Sequence, residues 1–209
     1  MVRDIVEKTL FFRDGNKTFF EPGDFAWVGP IEAEWKSIRK ELDMLMVRRE
    51  EIPNYQDVSK SQIALTQDDL WKTFHFYSFG NKYKENCARC PETVRLLHAI
   101  PGMKSAMFSI LAPHKHLPAH RGPYKGVLRY HLGLMIPQPE AQCRIRVGND
   151  VSHWQEGKSM IFDDSNEHEV WNDTDGDRVV LFVDFVRPTI FPLSMVNRSI
   201  IWARGRYPL

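Results

Sequence analysis

A chain of 209 residues, 43% of them apolar and with 13 phenylalanines and 6 tryptophans, can bury one substantial core but hardly two. The formal net charge is +1, and basic residues alternate with acidic ones instead of gathering in a stripe, which excludes the footprint of a nucleic-acid binder. The three cysteines, Cys87, Cys90 and Cys143, are too few to staple such a chain. No apolar run reaches the ~20 residues that span a bilayer, and residues 1–8 lack the order of a signal peptide, so no integral membrane segment and a cytoplasmic location are expected.

In chain order, Ile31, Trp35, Ile38, Leu42 and Leu45 recur at steps of three and four between charged residues, which predicts one amphipathic helix opened at Gly29-Pro30. Residues 50–69 are polar and poor in large apolar side chains, the composition of a mobile surface loop or flap. Cys87 and Cys90 have the spacing of half a zinc site or a redox pair, but no second pair accompanies them, and surface or half-buried structural thiols are the alternative. Pro91 and Pro101-Gly102 bracket a second short helix over 92–100.

Beyond Lys104 the texture changes to short β-type runs between turn residues: 106–111, 126–136, 143–147, 159–162, 168–171 and 178–186. Such spacing predicts a sandwich or barrel. The whole chain reads as one domain, with helical and loop support over about 1–103, the β core over about 104–188 and an extension over 189–209.

Two histidines sit at the ends of such runs. They are His120, in Pro118-Ala119-His120-Arg121-Gly122-Pro123, and His168, in Asp164-Ser165-Asn166-Glu167-His168-Glu169-Val170-Trp171. Imidazoles from neighbouring strands of a small barrel can hold a non-haem iron and leave positions open for a 2-oxoacid and O2. The usual third ligand is an acid two residues after the first histidine, where this chain has Gly122. Asp163, Asp164, Glu167 or Glu169 can substitute, or water can. Each of these acids can equally orient a histidine or face solvent.

In the run from 178 to 186 the even-numbered residues share one face. Arg178 therefore stands at the polar end of a strand, where a guanidinium matches a carboxylate through two parallel hydrogen bonds; an ion pair with Asp175 or Asp177 is the alternative. By the same parity Arg129 and His131 share one face and Leu128, Tyr130 and Leu132 the other, which fits either a cavity lining or a half-exposed strand. Arg144 and Arg146 share a face of their own run, as possible substrate contacts or solvated charges.

The blocks Pro118–Pro123, Leu128-Arg129-Tyr130-His131-Leu132-Gly133-Leu134 and Ile161 through Trp171 together resemble the aspartyl/asparaginyl β-hydroxylase family, over about residues 71–188. The resemblance implies a mainly β fold, a double-stranded β-helix of jelly-roll or cupin-like form, with flanking helices from the amino-terminal half. It implies a 2-oxoglutarate-dependent dioxygenase that uses Fe(II), 2-oxoglutarate and O2. His120 and His168 would bind iron, Arg178 with Ser109 would hold the distal carboxylate of 2-oxoglutarate, and His131 would contact the cosubstrate near the metal. Arg129 falls where the animal enzymes grip a substrate carboxylate, and Gly122 agrees with their two-histidine site, favouring water as third ligand.

One departure stands out: the animal enzymes carry a second arginine where this chain has Val127. The segments 104–111 and 121–124 are also similar to bacterial lipid A acyl-chain hydroxylases. The expected partner is thus a small-molecule, amino-acid or peptide substrate. Hydroxylation of an aspartyl or asparaginyl β-carbon leads, a fatty-acyl or other small substrate is the alternative, and a cupin-like metal-binding domain without turnover is the reading from another class.

Overall fold

The computed structural model describes residues 2–15, 17–58 and 65–206. All nine residues of Arg178–Val186 are buried, and the run is dominated by valine, leucine and phenylalanine, the composition of a strand covered on both faces. It forms the centre of a seven-stranded sheet, and the rest of the fold is arranged about it. The strands are β1 (Phe19–Phe20), β2 (Trp71–Ser78), β3 (Asn81–Lys82), β4 (Met103–Leu111), β5 (His116–His120), β6 (Val127–Met135), β7 (Cys143–Val147), β8 (Asp150–His153), β9 (Ser159–Phe162), β10 (His168–Asn172) and β11 (Arg178–Val186).

The major sheet runs β1-β9-β6-β11-β4-β2-β3 and the minor sheet β5-β10-β7-β8. Parity on β11 divides the interior. Val179, Leu181, Val183 and Phe185 join a core with Leu128, Tyr130 and Leu132 of β6, while Val180 and Phe182 face a second core with Ile145, Val147 and Val170 of the minor sheet. Two facing antiparallel sheets around a shared interior give the jelly-roll architecture expected from the sequence.

Helices α1 (Val2–Asp14), α2 (Val28–Ala33), α3 (Trp35–Met46), α4 (Tyr55–Val58), α5 (Lys84–Arg89), α6 (Pro91–Leu97) and α7 (Leu193–Arg206) complete the fold. None of the described residues forms a helix long and apolar enough to cross a membrane. The periodic run expected as one helix is two, α2 and α3, broken at Glu34 (φ −101°, ψ 9°). The break seats the Trp35 indole against Gly157, where an added Cβ would stand 2.7 Å from the ring nitrogen. Strand β2 was not expected from its sequence, because Lys72, Thr73 and His75 interrupt its apolar pattern. In the sheet these polar side chains are buried with partners: Lys72 Nζ donates to Ile52 O at 3.0 Å, and Thr73 Oγ1 bonds His75 Nε2 at 3.1 Å.

Of the expected loop over 50–69, residues 59–64 lie outside the described residues. The rest holds a 3-10 turn (Arg49–Glu51) and α4, whose Tyr55 packs edge-on to Trp71 with ring centroids 4.4 Å apart. Cys87, Cys90 and Cys143 are all free and buried, and burial pushes the Cys90 thiol up to about 12, which suits packing and not redox exchange.

The two central helices on the outer face are joined by charge. Glu41 of α3 is buried and accepts hydrogen bonds from Glu92 N (2.8 Å), Thr93 N (2.8 Å) and Thr93 Oγ1 (2.7 Å) at the start of α6. A carboxylate from one helix thus satisfies the exposed amides of another. Glu41→Ala, which strands those donors, should lower the unfolding free energy by about 1–3 kcal/mol. Urea denaturation checks this, and a midpoint unchanged from the wild type would refute it.

Candidate active site

His120 ends β5 and His168 begins β10, and the two strands pair antiparallel with His168 directly across from His120. On β10, His168, Val170 and Asn172 are buried while Glu169 and Trp171 are half-exposed, so parity turns His168 inward. The two imidazoles lie with ring centroids 4.1 Å apart. His120 Nδ1 bonds Pro118 O at 2.8 Å and His168 Nδ1 bonds Asn166 O at 3.0 Å. A carbonyl only accepts, so each Nδ1 carries the proton and each Nε2 keeps its lone pair. Burial, with His120 and Arg129 close by, holds His168 down at about 3, and burial likewise lowers His120. Two neutral imidazoles with Nε2 lone pairs are the donor chemistry that a transition metal takes.

The four acids near His168 separate. Glu167 and Glu169 pair with Arg146 on the outer face of β7 and β10, and Asp163 is tied to Lys125 Nζ (2.7 Å) and Arg187 Nη1 (2.9 Å). Asp164 remains at the histidine pair. Its carboxylate fills the space beside Gly122: a Cβ built there would lie 2.1 Å from Asp164 Oδ2 and 2.3 Å from Cγ. Gly122 N also donates to Asp164 O at 2.7 Å. Any side chain at position 122 must displace this carboxylate. Among the described residues no group of three His, Cys, Asp or Glu is disposed around one point.

Arg129 and His131 of β6 point into the interior, as the cavity reading of their parity requires. Arg129 Nη2 contacts Asp164 Oδ2 at 2.8 Å and its Nε donates to Asp184 Oδ1 at 2.9 Å, while its guanidinium lies 4.2 Å from the centre of the Phe182 ring. Ser105 Oγ donates to the other oxygen of Asp184 at 2.7 Å. Burial and the neighbouring carboxylates Asp184 and Asp163 raise Asp164 to about 6 against the pull of Arg129. His131 Nδ1 accepts from Trp154 Nε1 at 3.2 Å, so its Nε2 carries the proton; that nitrogen is buried and has no hydrogen-bond partner.

Arg178 is 2% exposed, and neither Asp175 nor Asp177 meets it. Asp177 pairs with Arg49 and Asp175 with His114. The Arg178 guanidinium lies 4.6 Å from the centre of the Trp154 ring, its Nε and Nη1 are buried without partners among the described residues, and burial pushes its pKa down to about 10. A buried cation without a counter-charge carries a large desolvation cost, which an incoming carboxylate would offset. Ser109 of β4 stands on the same inner face, two register pairs away, with its Oγ accepting from Trp71 Nε1 at 3.0 Å.

Sequence reasoning missed Asp184, Trp154 and Tyr55. The even parity of Asp184 with Arg178 was a usable signal; Trp154 lies in the loop after β8 and Tyr55 opens the four-residue α4, neither long enough to show periodicity. Arg144 and Arg146 do not join the site. Cys143, Ile145 and Val147 turn inward in their place, and the arginines bond Asp173 and Glu169 outside.

The sequence profile described as Aspartyl/Asparaginyl beta-hydroxylase matches residues 32–188. The ornithine lipid ester-linked acyl 2-hydroxylase of Rhizobium tropici is 49% identical over 187 residues, 90% of this chain and 66% of that protein. The aspartyl/asparaginyl beta-hydroxylase of Homo sapiens is 34% identical over 177 residues, 82% of this chain and 22% of that protein. The chain thus spans about two thirds of the first relative and less than a quarter of the second. A Pseudomonas putida prolyl-4-hydroxylase structure covers 74% of this chain and 88% of its own at 16% identity and a TM-score of 0.49, too slight a likeness to bear on the reaction. With its inward-facing histidine pair and a profile match over most of its length, this chain belongs to the aspartyl/asparaginyl β-hydroxylase family.

Proposed function

We propose that the chain is an Fe(II)- and 2-oxoglutarate-dependent hydroxylase whose substrate is an acyl chain. The observation that carries the reading is Arg178: a buried guanidinium with unpartnered Nε and Nη1, on the same sheet face as Ser109 and His131. His120 and His168 would hold iron through Nε2, and Arg178 with the Ser109 hydroxyl would receive the distal carboxylate of 2-oxoglutarate. The His131 Nε2–H, a buried donor without an acceptor, would serve the same cosubstrate. When bound, iron, 2-oxoglutarate and O2 supply the chemistry that converts a C–H bond to C–OH, with 2-oxoglutarate leaving as succinate and CO2.

The chain's own contribution is orientation and dryness. The backbone carbonyls of Pro118 and Asn166 fix both imidazole tautomers. Asp164, set against Gly122, is placed to accept a hydrogen bond from water at the position an acid usually takes. Met107, Leu117, Phe162, Val170, Val180 and Phe182 line the interior with apolar surface, which keeps water from the reacting carbon.

The acyl substrate is favoured over an aspartyl group by the state of Arg129. A cation that grips a substrate carboxylate must have charge to spare, and this one already faces Asp164 and Asp184. Val127, where the animal enzymes carry their second arginine, is packed in an apolar cluster with Tyr124 and Val186. The Rhizobium tropici relative's name as an acyl 2-hydroxylase agrees. A metal-binding domain without turnover would leave the buried Arg178 charge unexplained.

Four outcomes test these assignments. Arg178→Met should weaken 2-oxoglutarate binding by about 2 kcal/mol or more, ~30-fold, without lowering the stability of the unliganded protein; calorimetric titration with an unchanged affinity would sink the role. His168→Ala should abolish iron-dependent decarboxylation, read as succinate release, and wild-type turnover would exclude it as a ligand. Gly122→Ala should cost about 1–3 kcal/mol of stability by driving its Cβ into Asp164, and most of that loss should vanish in an Asp164→Gly background. For the substrate, mass spectrometry should find one added oxygen on the acyl chain of a detergent-solubilised lipid and none on an aspartyl peptide.

A further inference from the structure

The carboxy-terminal segment has a composition unlike the rest of the chain. After Asp184 no acid occurs, whereas Arg187, Arg198, Arg204 and Arg206 all follow it. In the same segment Ile190, Phe191, Met195 and Trp202 are between 61% and 76% exposed. With Val196, five of the exposed large apolar side chains among the described residues lie in α7 or its lead-in. Isolated exposed apolar residues are ordinary, but a concentration of them together with cations and no anions is not.

Beside these side chains, between α7 and the ends of β4 and β11, lies a groove of about 460 Å³ lined in part by Lys104, Arg198, Ser199 and Trp202. Neither Lys104 nor Arg198 has a carboxylate partner among the described residues. The inner side of α7 is anchored: Ile201 is buried in one cluster with Val6 and Leu10 of α1, Tyr124, Val127 and Val186. Tyr124 Oη donates to Asn197 Oδ1 at 2.8 Å, and Asn197 Nδ2 donates to Gly126 O at 2.9 Å. Arg3 of α1 donates to Pro123 O at 2.8 Å. The same pair of helices therefore holds the segment that follows His120.

We infer that the α7 surface, with its Ile190-Phe191 lead-in, is a monotopic docking face for an anionic lipid bilayer. Exposed aromatic and aliphatic side chains enter the headgroup boundary, and Lys104 and Arg198 meet lipid phosphates. Charge argues against a second copy as the occupant: a two-fold contact through this face would bring Lys104 and Arg198 together with their copies, and residues 185–203 hold no acid to relieve them. The purpose of docking rests on the acyl reading above, since it brings the segment after His120 to the depth where an acyl ester is presented. Adsorption itself is measurable without turnover.

The test is co-sedimentation of the full chain with vesicles of phosphatidylglycerol and phosphatidylcholine, compared with phosphatidylcholine alone. The wild type should sediment with the anionic vesicles and be released by salt. Ile190→Ser with Phe191→Ser, and separately Lys104→Glu with Arg198→Glu, should each weaken partitioning by about tenfold or more. Met44→Ser with Val47→Ser, exposed apolar positions on and after α3, should leave it unchanged. Equal sedimentation with both vesicle types, or equal loss in the Met44 and Val47 control, overturns the proposal. So does a dimer in gel filtration that Ile190→Ser with Phe191→Ser dissolves in the absence of vesicle binding, which assigns the face to a second copy. Hydroxylation of a detergent-solubilised acyl lipid by a chain that ignores vesicles defeats docking alone. Vesicle binding without any lipid hydroxylation defeats the acyl reading alone.

Discussion

A guanidinium removed from water must be met by negative charge or carry a heavy desolvation cost, and the interior between the two sheets buries two of them on one face. Arg129 is met within the chain, by Asp164 on one side and Asp184 on the other, with Phe182 beneath it. Arg178 has the Trp154 ring and, among the described residues, no carboxylate. The contrast sorts the interior into a part whose charges are met and a part whose cation is left unmet. Position along the strands decides which is which: Arg129 and Asp184 are register partners on β6 and β11, whereas the register partner of Arg178 is Leu111.

The histidine pair depends on a different constraint, the pairing of β5 with β10. Because His168 lies across from His120, the distance between the rings is set by strand spacing and not by long-range packing, which is a rigid way to hold two donors. The same pairing brings Gly122 and Asp164 together just beyond the strand ends. A carboxylate 42 residues downstream occupies the space that the side chain at 122 vacates, so the missing acid at 122 and the acid at 164 are one steric fact. Asp164 in turn neutralises Arg129, and the histidine pair and the charged part of the interior are thereby joined through one side chain.

Much of this was legible in the sequence. Alternation along 178–186 and 126–136 gave both the strands and the facing of Arg129, His131 and Arg178, because a period of two leaves little choice once one face is apolar. The two histidines and Gly122 were visible as motif positions. What could not be read was pairing between segments. Nothing local in 71–78 distinguishes a buried strand from a loop when Lys72 and His75 find their partners only after folding. Likewise the charge of Arg129 looked available until Asp184, 55 residues away, was placed against it. The polar composition of 50–69 suggested a surface loop, yet Tyr55 from that stretch packs on Trp71, the residue whose indole bonds Ser109.

The helices at the two ends of the chain show how a change at one position can alter both support and specificity. Val127 and Val186 are register partners at the same end of β6 and β11, and both are buried beneath α1 and α7 with Tyr124 and Ile201. A valine fully buried there is worth about 1.5 kcal/mol or more to the packing of that layer. An arginine at 127 would have to carry its charge out from under Tyr124 and Ile201, or lie buried near Arg129, whose two carboxylates are already engaged. Seating α7 and keeping a second cation at this rim are thus competing uses of one position. This chain has taken the apolar use, which removes charge from the rim of the site and at the same time attaches beside it the helix that carries the exposed aromatic and basic side chains.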